Sequence, residues 1–473
     1  MLVCCATRVN CLTMSAQCLN IFMTMVGAGI VGLPFALGAA SFVYGCVSLV
    51  FALVASTCSL VTLTWLARAP LRAQRISPHS LSSPLMSGPI VLDELEEAAA
   101  ELAAGNEKSD GGGSRGETPT SIATYDNLVV AFLPPWISTL SQLVMILLLT
   151  LAGVLFIDVA HDSLSSTYPG LEFQGGHPLR AGICTVAFLF SLPNKLESLK
   201  YTSLFGFFSL FFLLVVVVSR AVEHVEKSGH NTHNGDVAPS RAVTFSGLVF
   251  AITTQLGAFA AAFNVIAAQA ELPIELQRNG AGTTVAILAA GVAGIFYAVF
   301  GIAGYLALDG HPPRDILTGW PPSDTLVSTA RVAIALVCIF KSPLFANPLK
   351  AMLTARFSFL LPGEGSLARS AILALIIYSA VFGVSSAISD PSVCFGYVSA
   401  IGVNFIMFIL PGLCLARAAF QEGVAAEWRG LWRSVLSVFG WTMALFGLAA
   451  MVLGVDSTMN YHPSVNSTEF TNM

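Results

Sequence analysis

The sequence predicts an all-α integral membrane protein of about eleven transmembrane helices. Three observations carry that prediction. Apolar residues make up 55% of the 473 and charged residues 10%, where soluble domains carry roughly 25% charged. The apolar residues gather in runs of about 20, the length at which a helix crosses a hydrocarbon core. Lys and Arg are divided unevenly between alternate loops, as they are in a chain threaded back and forth through a bilayer.

Taken in order, the runs are 14–38, 42–67, 136–158, 179–193, 200–220, 244–267, 282–308, 325–349, 370–388, 393–416 and 434–455. All should be helical, because a backbone facing lipid must satisfy its own polar groups. Alternating ten-residue strands are absent, which excludes a lipid-facing barrel. The run 179–193 is the shortest, and it ends at Pro193. With the N-terminus in the cytosol, the inner loops hold 15 of the 22 Lys and Arg and the outer loops hold 5. Arg331 and Lys341 lie within a span. The C-terminus is then outside, or in the lumen of an organelle. The organisation that follows is a cytosolic segment 1–13, spans one and two over 14–69, a loop insert 70–123, spans three to eleven over 124–455, and an outer tail 456–473. The insert, with "DELEEAAAELAAG" and "SDGGGSRGE", is too polar and too Gly-rich to bury a core and is expected to be disordered in the cytosol.

Composition also excludes functions. A net charge of −5, spread between loops, argues against nucleic acid as a partner. The ten cysteines sit near the N-terminus or in apolar runs, so neither a disulfide framework nor a zinc site is expected. No cofactor is implied. Paired carboxylates, metal ligands and Ser–His sets do not converge in the spans, so an enzyme is not expected.

The first span holds the most informative stretch, Asn20 followed by "MVGAGIVGLPFALG". Gly27, Gly29 and Gly32 precede Pro34. Glycine weakens helix, and proline lacks a donor and clashes one turn back. Close helix packing also uses small residues, but a cluster followed by proline favours an unwound stretch near mid-membrane. Such a break frees amides for a carboxylate and carbonyls for a cation. The sixth span offers a partner: Gly257, Phe259 and Asn264 in "TTQLGAFAAAFNVIAAQAEL". Asn264 would serve a neighbouring helix equally well. In the eighth span Lys341 lies deep in "STARVAIALVCIFKSPLFANPLK". A charge at mid-membrane costs about 3 kcal/mol on insertion scales and marks function by default; the alternative is snorkelling to the inner interface past Pro343. Arg331 is nearer the outer end, where it can snorkel or pair. Asp158, Glu271 and Asp390 fall near span ends, which leaves no central acid to neutralise a cationic side chain.

Together these motifs resemble the amino acid/auxin permease family, in its neutral amino acid transporter branch. The signature of the family's first span runs here from Asn20 to Pro34. "SLPNKLESLKYTS" at 191–203 is similar to the loop before the fifth span, and "FNVIAAQAEL" at 263–272 to the exit from the sixth. Arg331, Pro343, Pro348 and Lys350 match the eighth span, and Asn404 and Pro411 the tenth. The resemblance implies a LeuT-type fold: two inverted repeats of five helices plus one, with the first and sixth broken. It also implies secondary transport of a small amino acid by alternating access. The implied substrate site is Gly27, Ala28, Gly29 and Ile30, facing Gly257, Phe259 and Asn264. Sodium-coupled members carry an Asn four residues before the first signature glycine, where this chain has Met23, and their eighth-span Thr aligns with Lys341. The resemblance therefore implies transport that is proton-coupled or sodium-independent, with Met23 and Lys341 as the coupling candidates and an ammonium bridging to first-span carbonyls near Gly27. A neutral substrate is expected, with the lipid bilayer and protons as the other partners, in the plasma membrane or a vacuolar or lysosomal membrane. The alternative is a sensor that keeps this fold and signals through 70–123. A side chain at Gly29 should abolish transport, and one at Gly447, in the last span, should be tolerated.

Overall fold

The apolar runs fold as helices, since a helix bonds its backbone within one segment. The structure, a computed structural model, describes residues 2–69, 122, 124–171, 177–192, 199–231, 243–357, 367–387, 391–421 and 431–460. The insert expected to be disordered therefore lies outside the described residues apart from Ile122. That residue is buried, and its amide donates to the Ala67 carbonyl at 3.0 Å. The tail past residue 460 lies outside them as well.

The first span is α1 (Leu2–Met25), a break at Val26 and Gly27, a 3-10 turn Ala28–Gly32, and α2 (Leu33–Ala39). Its two halves are bent by 56°. Proline sits in the first turn of α2, where a missing amide costs nothing. The second span, α3 (Phe42–Ala67), follows, then a short α4 (Tyr125–Phe132) and the third span, α5 (Pro135–Thr167). α6 (His177–Ser191) stands where the fourth span was expected, and α7 (Leu199–Asn231) is the fifth. The sixth is broken between α8 (Phe245–Ala258) and α9 (Ala262–Glu271). A short α10 (Ile274–Asn279) leads into α11 (Ala281–Ala307), and α12 (Thr325–Phe357) and α13 (Leu367–Ala387) come next. The tenth span is α14 (Pro391–Tyr397), two π-helical turns over Val398–Val403 and Phe405–Ile409, and α15 (Leu410–Ala418). The last is α16 (Leu431–Asn460).

Several boundaries differ from the sequence reading, two of them with consequences. α5 was expected to end at residue 158 and continues to Thr167, so Asp158 lies inside the helix and is fully buried rather than at a span end. Among the described residues nine helices are long and apolar enough to cross a membrane, or ten if the bent first pair counts as one. α6 is not among them: its 15 residues reach only about 22 Å at 1.5 Å per residue.

The two broken spans lie side by side and antiparallel. α1 packs on α9, and α2 packs on α8. Around them α1, α2, α3, α8, α9 and α11 pack as one group, while α5, α6, α12 and α13 pack as another. α7 touches both, through α11 and α12. At one end of the second group the Lys350 ammonium donates to the Ser191 carbonyl at 2.7 Å and to Ser370 Oγ at 3.1 Å, and Ser370 donates to the Leu192 carbonyl at 3.0 Å. Those are carbonyls that the end of α6 leaves without helical partners.

Small residues set the closest approach. A Cβ on Gly412 would lie 2.5 Å from the Gly440 carbonyl oxygen, and one on Gly440 would lie 2.6 Å from that of Gly412. Neither backbone can yield without parting α15 from α16. Gly440→Ala should therefore lower thermal stability in detergent by on the order of 1–3 kcal/mol, the usual cost of overpacking. Gly383→Ala should leave it unchanged, because nothing lies within 4 Å of a Cβ there.

Candidate functional site

The site begins at the break in the first span. Gly27 is extended (φ −123, ψ −154), so the chain leaves helical geometry and its last carbonyls lose their partners one turn on. Lys341, on α12 in the other helix group, supplies the missing donors. Its ammonium donates to the carbonyls of Met23 and Val26, each at 3.0 Å. The side chain is 7% exposed and turned toward the first span, so it does not snorkel to the interface. α7 closes the contact from a third side: a Cβ on Gly206 would stand 3.2 Å from Met23 Cε and 3.7 Å from Lys341 Cε.

The residues expected at the substrate site divide into those that meet and those that are otherwise engaged. Gly27 faces open space, with no atom of the described residues within 4 Å of the Cβ it lacks. A Cβ on Gly29 would reach the Phe395 ring at 2.6 Å, and one on Gly257 would meet the same ring at 3.3 Å as well as the Ser399 hydroxyl. The glycines of the two broken spans thus close on one aromatic ring from the tenth. Ile30 is buried, and Ala28 opens the 3-10 turn. Phe259 is buried edge-on against Tyr297, with ring centroids 5.0 Å apart, and the Tyr297 hydroxyl donates to the Ala258 carbonyl at 2.8 Å. Asn264 donates to the Thr24 hydroxyl, which joins α9 to α1. Its role as a partner of a neighbouring helix is met.

Phe395, Ser399 and Tyr297 went unseen in the sequence. Phe395 and Ser399 stand on and beside the π-helical turns, and π-helix is rare and concentrated at functional sites. A signal was present in Pro411: it cannot donate to the carbonyl four residues back, Met407, and Ser59 from α3 donates there instead. The tolerance expected at Gly447 is overturned. A Cβ there would stand 2.7 Å from Phe408 Cβ and 3.1 Å from the Ile409 amide, because α16 packs directly on the second π turn.

At the end of the bundle beyond α2, the loop between α11 and α12 folds over the first span. Its 3-10 turn Ile316–Gly319 packs on the 3-10 turn of the first span and on α5. Arg331 fixes it. Rather than snorkelling, this side chain is 1% exposed and donates to the Leu317 carbonyl, at 2.6 Å and 3.2 Å, and to that of Trp320 at 2.7 Å. Asp315 caps the turn by accepting from the Leu317 amide at 2.9 Å. Burial pushes its carboxyl up to about 7, against the Leu317 hydrogen bond, with nearby Asp162 adding to the rise and Arg331 opposing it. Asp324 in the same loop is desolvated too, yet the Arg220 guanidinium, at 2.7 Å, holds its carboxyl below the usual range.

Comparison with known proteins agrees with this architecture. The family described as "Transmembrane amino acid transporter protein" matches residues 114–459, most of the chain. The vacuolar amino acid transporter 7 of Saccharomyces cerevisiae is 23% identical over 160 residues, which cover 34% of this chain and 32% of that protein. The chain thus aligns to about a third of that relative's length. Among solved structures, MhsT in complex with L-phenylalanine superposes with a TM-score of 0.53 at 12% identity, covering 93% of this chain and 98% of that one. The shared fold is the LeuT type, with its first and sixth spans broken.

Asp315 yields a test of the loop. A seated-loop value of about 7 against an ordinary carboxyl value of about 4 means that the seated loop binds more protons between those limits. Its stabilisation by the neutral carboxyl is complete below about pH 4 and is lost as pH rises through about 7. Thermal unfolding across that window should fall in midpoint for the wild type, and Asp315→Asn should flatten the slope. An unchanged slope would show that the carboxyl does not govern the seat.

Proposed function

The chain belongs to the transmembrane amino acid transporter family, and from that premise we propose that it carries small, neutral amino acids across a membrane by alternating access, driven by protons and without sodium. The observation that carries the reading is the ammonium of Lys341 on the carbonyls of Met23 and Val26. In sodium-coupled relatives an ion is held between the first and eighth spans, and sodium needs oxygen ligands. Here a thioether replaces one expected ligand, and a tethered cation already bonds the freed carbonyls and repels a second cation. An ammonium that can give up its proton would let the bridge respond to protons.

The substrate site we propose is the open space at Gly27, bordered by Ala28, Gly29 and Ile30 of the first span and by Gly257, Phe259 and Asn264 of the sixth. Among the described residues, the polar side chains against the two breaks include Thr24, Asn264, Ser399 and Tyr297, all uncharged, and Lys341 is engaged with the backbone. That supports a zwitterion with a neutral side chain. A fold neighbour crystallised with L-phenylalanine supports the ligand class. The topology that goes with this reading keeps the N-terminus and the 70–123 insert in the cytosol.

Purified protein in liposomes, offered a panel of labelled amino acids under imposed pH or sodium gradients, tests the proposal. Uptake should proceed without sodium and rise with an inward proton gradient, and Lys341→Met should lose the pH response. Gly27→Leu, whose extended backbone suits any residue, should cut uptake by about tenfold or more, equivalent to ~1.4 kcal/mol, at unchanged abundance. Gly383→Leu is the control. A wild-type requirement for sodium would overturn the reading, and binding without flux would favour a sensor.

A further inference from the structure

Away from the break, the second helix group buries a set of polar atoms that the proposed transport site does not use. Asp158 on α5 is fully buried. Its Oδ1 accepts from the Ser385 hydroxyl of α13, and its Oδ2 has no hydrogen-bond partner among the described residues. Arg180 of α6 is the nearest cation, with Nε at 3.7 Å, too long for a hydrogen bond. The buried Arg180 Nε is itself without a hydrogen-bond partner among the described residues. One turn along α5 from Asp158, His161 is buried with Nε2 unpartnered, its Nδ1 meeting Asp162 at 3.1 Å. Ser386 Oγ, beside Ser385, is likewise buried and unpartnered.

A buried carboxylate needs its lone pairs bonded, and an ion pair repays its desolvation only in good geometry. Here one oxygen is bare and the guanidinium stands off. We propose that the Asp158–Ser385 cluster is a proton-binding site, in which a proton from water adds to Asp158 Oδ2 while the Ser385 hydroxyl stays on Oδ1. One O–H bond of a hydronium ion breaks, leaving water, as one O–H bond forms on Oδ2; the carboxyl becomes neutral, and Arg180 loses its nearest anion. The groups facing Asp158 fit this assignment. His161 and Asp162 share its helix and lead toward the end of the bundle that the Asp315 loop covers. α6 presents Arg180 and Cys184, and α14 presents Cys394, whose thiol donates to the Leu151 carbonyl at 3.6 Å. On α12, Arg331 and Lys341 are committed to the loop and to the first span, and Cys338 is a buried thiol. On α13, Tyr378 is bonded to Ser191 at 2.6 Å. Arg180 is the one Lys or Arg left to this carboxyl among these groups, beside the imidazole of His161. Because α5, α6 and α13 meet here, protonation would release Arg180 and loosen the joint between them. The site's role in transport rests on the proton-driven reading above; its binding of a proton does not.

Infrared difference spectroscopy of the full-length protein in nanodiscs, stepped in pH, reads the site directly. A carbonyl stretch of a buried protonated carboxyl should appear on acidification in the wild type and in Lys341→Met, and should be missing in Asp158→Asn. Should Asp158→Asn fail to fold, Arg180→Gln gives the same answer, since loss of the nearest cation should move the band to higher pH by about a unit or more, a tenfold tighter hold on the proton. In liposomes Asp158→Asn should keep amino acid exchange and lose accumulation driven by a pH gradient by about tenfold. A band that persists in Asp158→Asn, or one that ignores Arg180→Gln, would overturn the proposal and leave a plain ion pair. A band that behaves as expected, beside wild-type uptake indifferent to pH, would uphold the site and refute proton-driven transport.

Discussion

A backbone carbonyl freed inside a membrane has no water to turn to, and the rest of this structure is arranged around that constraint. At several points where a span departs from α-helix, a side chain from another helix reaches across to the exposed oxygen. Lys341 serves Met23 and Val26, Tyr297 serves Ala258, Ser59 serves Met407, and Tyr125 serves Ile406 at 2.6 Å. Arg331 does the same for the loop carbonyls of Leu317 and Trp320. The breaks are therefore also the joints. Each one ties together helices that are distant in sequence, and movement of those helices must exchange or break the same bonds.

The parts of this scheme that were legible in the sequence are those that local chemistry dictates. Three glycines before Pro34 announce an unwound stretch whatever surrounds them, and Lys341 in an apolar run demands a partner. Both expectations led to the same contact. The π turns were not legible, because an extra residue in a helical turn is decided by packing between α8, α5 and α16 rather than by propensity; only Pro411 hinted at it. Gly447 misled because a glycine in a last, lipid-facing helix reads as idle, whereas α16 spends it on close approach to Phe408 and Ile409. Asp158 misled for a different reason. Hydropathy fades near residue 158, but the helix runs on to Thr167, and its polar residues there are buried by α6 and α13 rather than wetted.

Fold and residue identity separate cleanly in the comparisons. At 12% identity the shared architecture with MhsT extends over nearly all of both chains, so what is held in common is the fold rather than the side chains. The family match begins at residue 114 and leaves the first span to be judged on its own chemistry. There the thioether of Met23 is a property of this chain, while its partner in the contact, Lys341 on α12, lies within the matched stretch.

A tethered cation differs from a dissolved one in a way that constrains mechanism. A sodium ion that bridges two helices can leave, and the bridge then fails because the ligand is gone. The Lys341 ammonium cannot leave; its stem is fixed to α12, and its bonds to Met23 and Val26 end only if the helices part. A neutral amine still has hydrogens to donate, but it loses the charge that makes such bonds strong, since charge-assisted bonds are roughly twice as strong as neutral ones. Under the proposed reading, deprotonation would therefore weaken the bridge between the helix groups without emptying it. Repair would be immediate on the return of a proton, with no ion to recapture from solution. Such a joint suits a cycle in which one helix group rocks against the other while the contact at the break is loosened and tightened in place. Under the proposed reading, a chain built this way would need no external sodium and would keep a bridge that is always present to be switched.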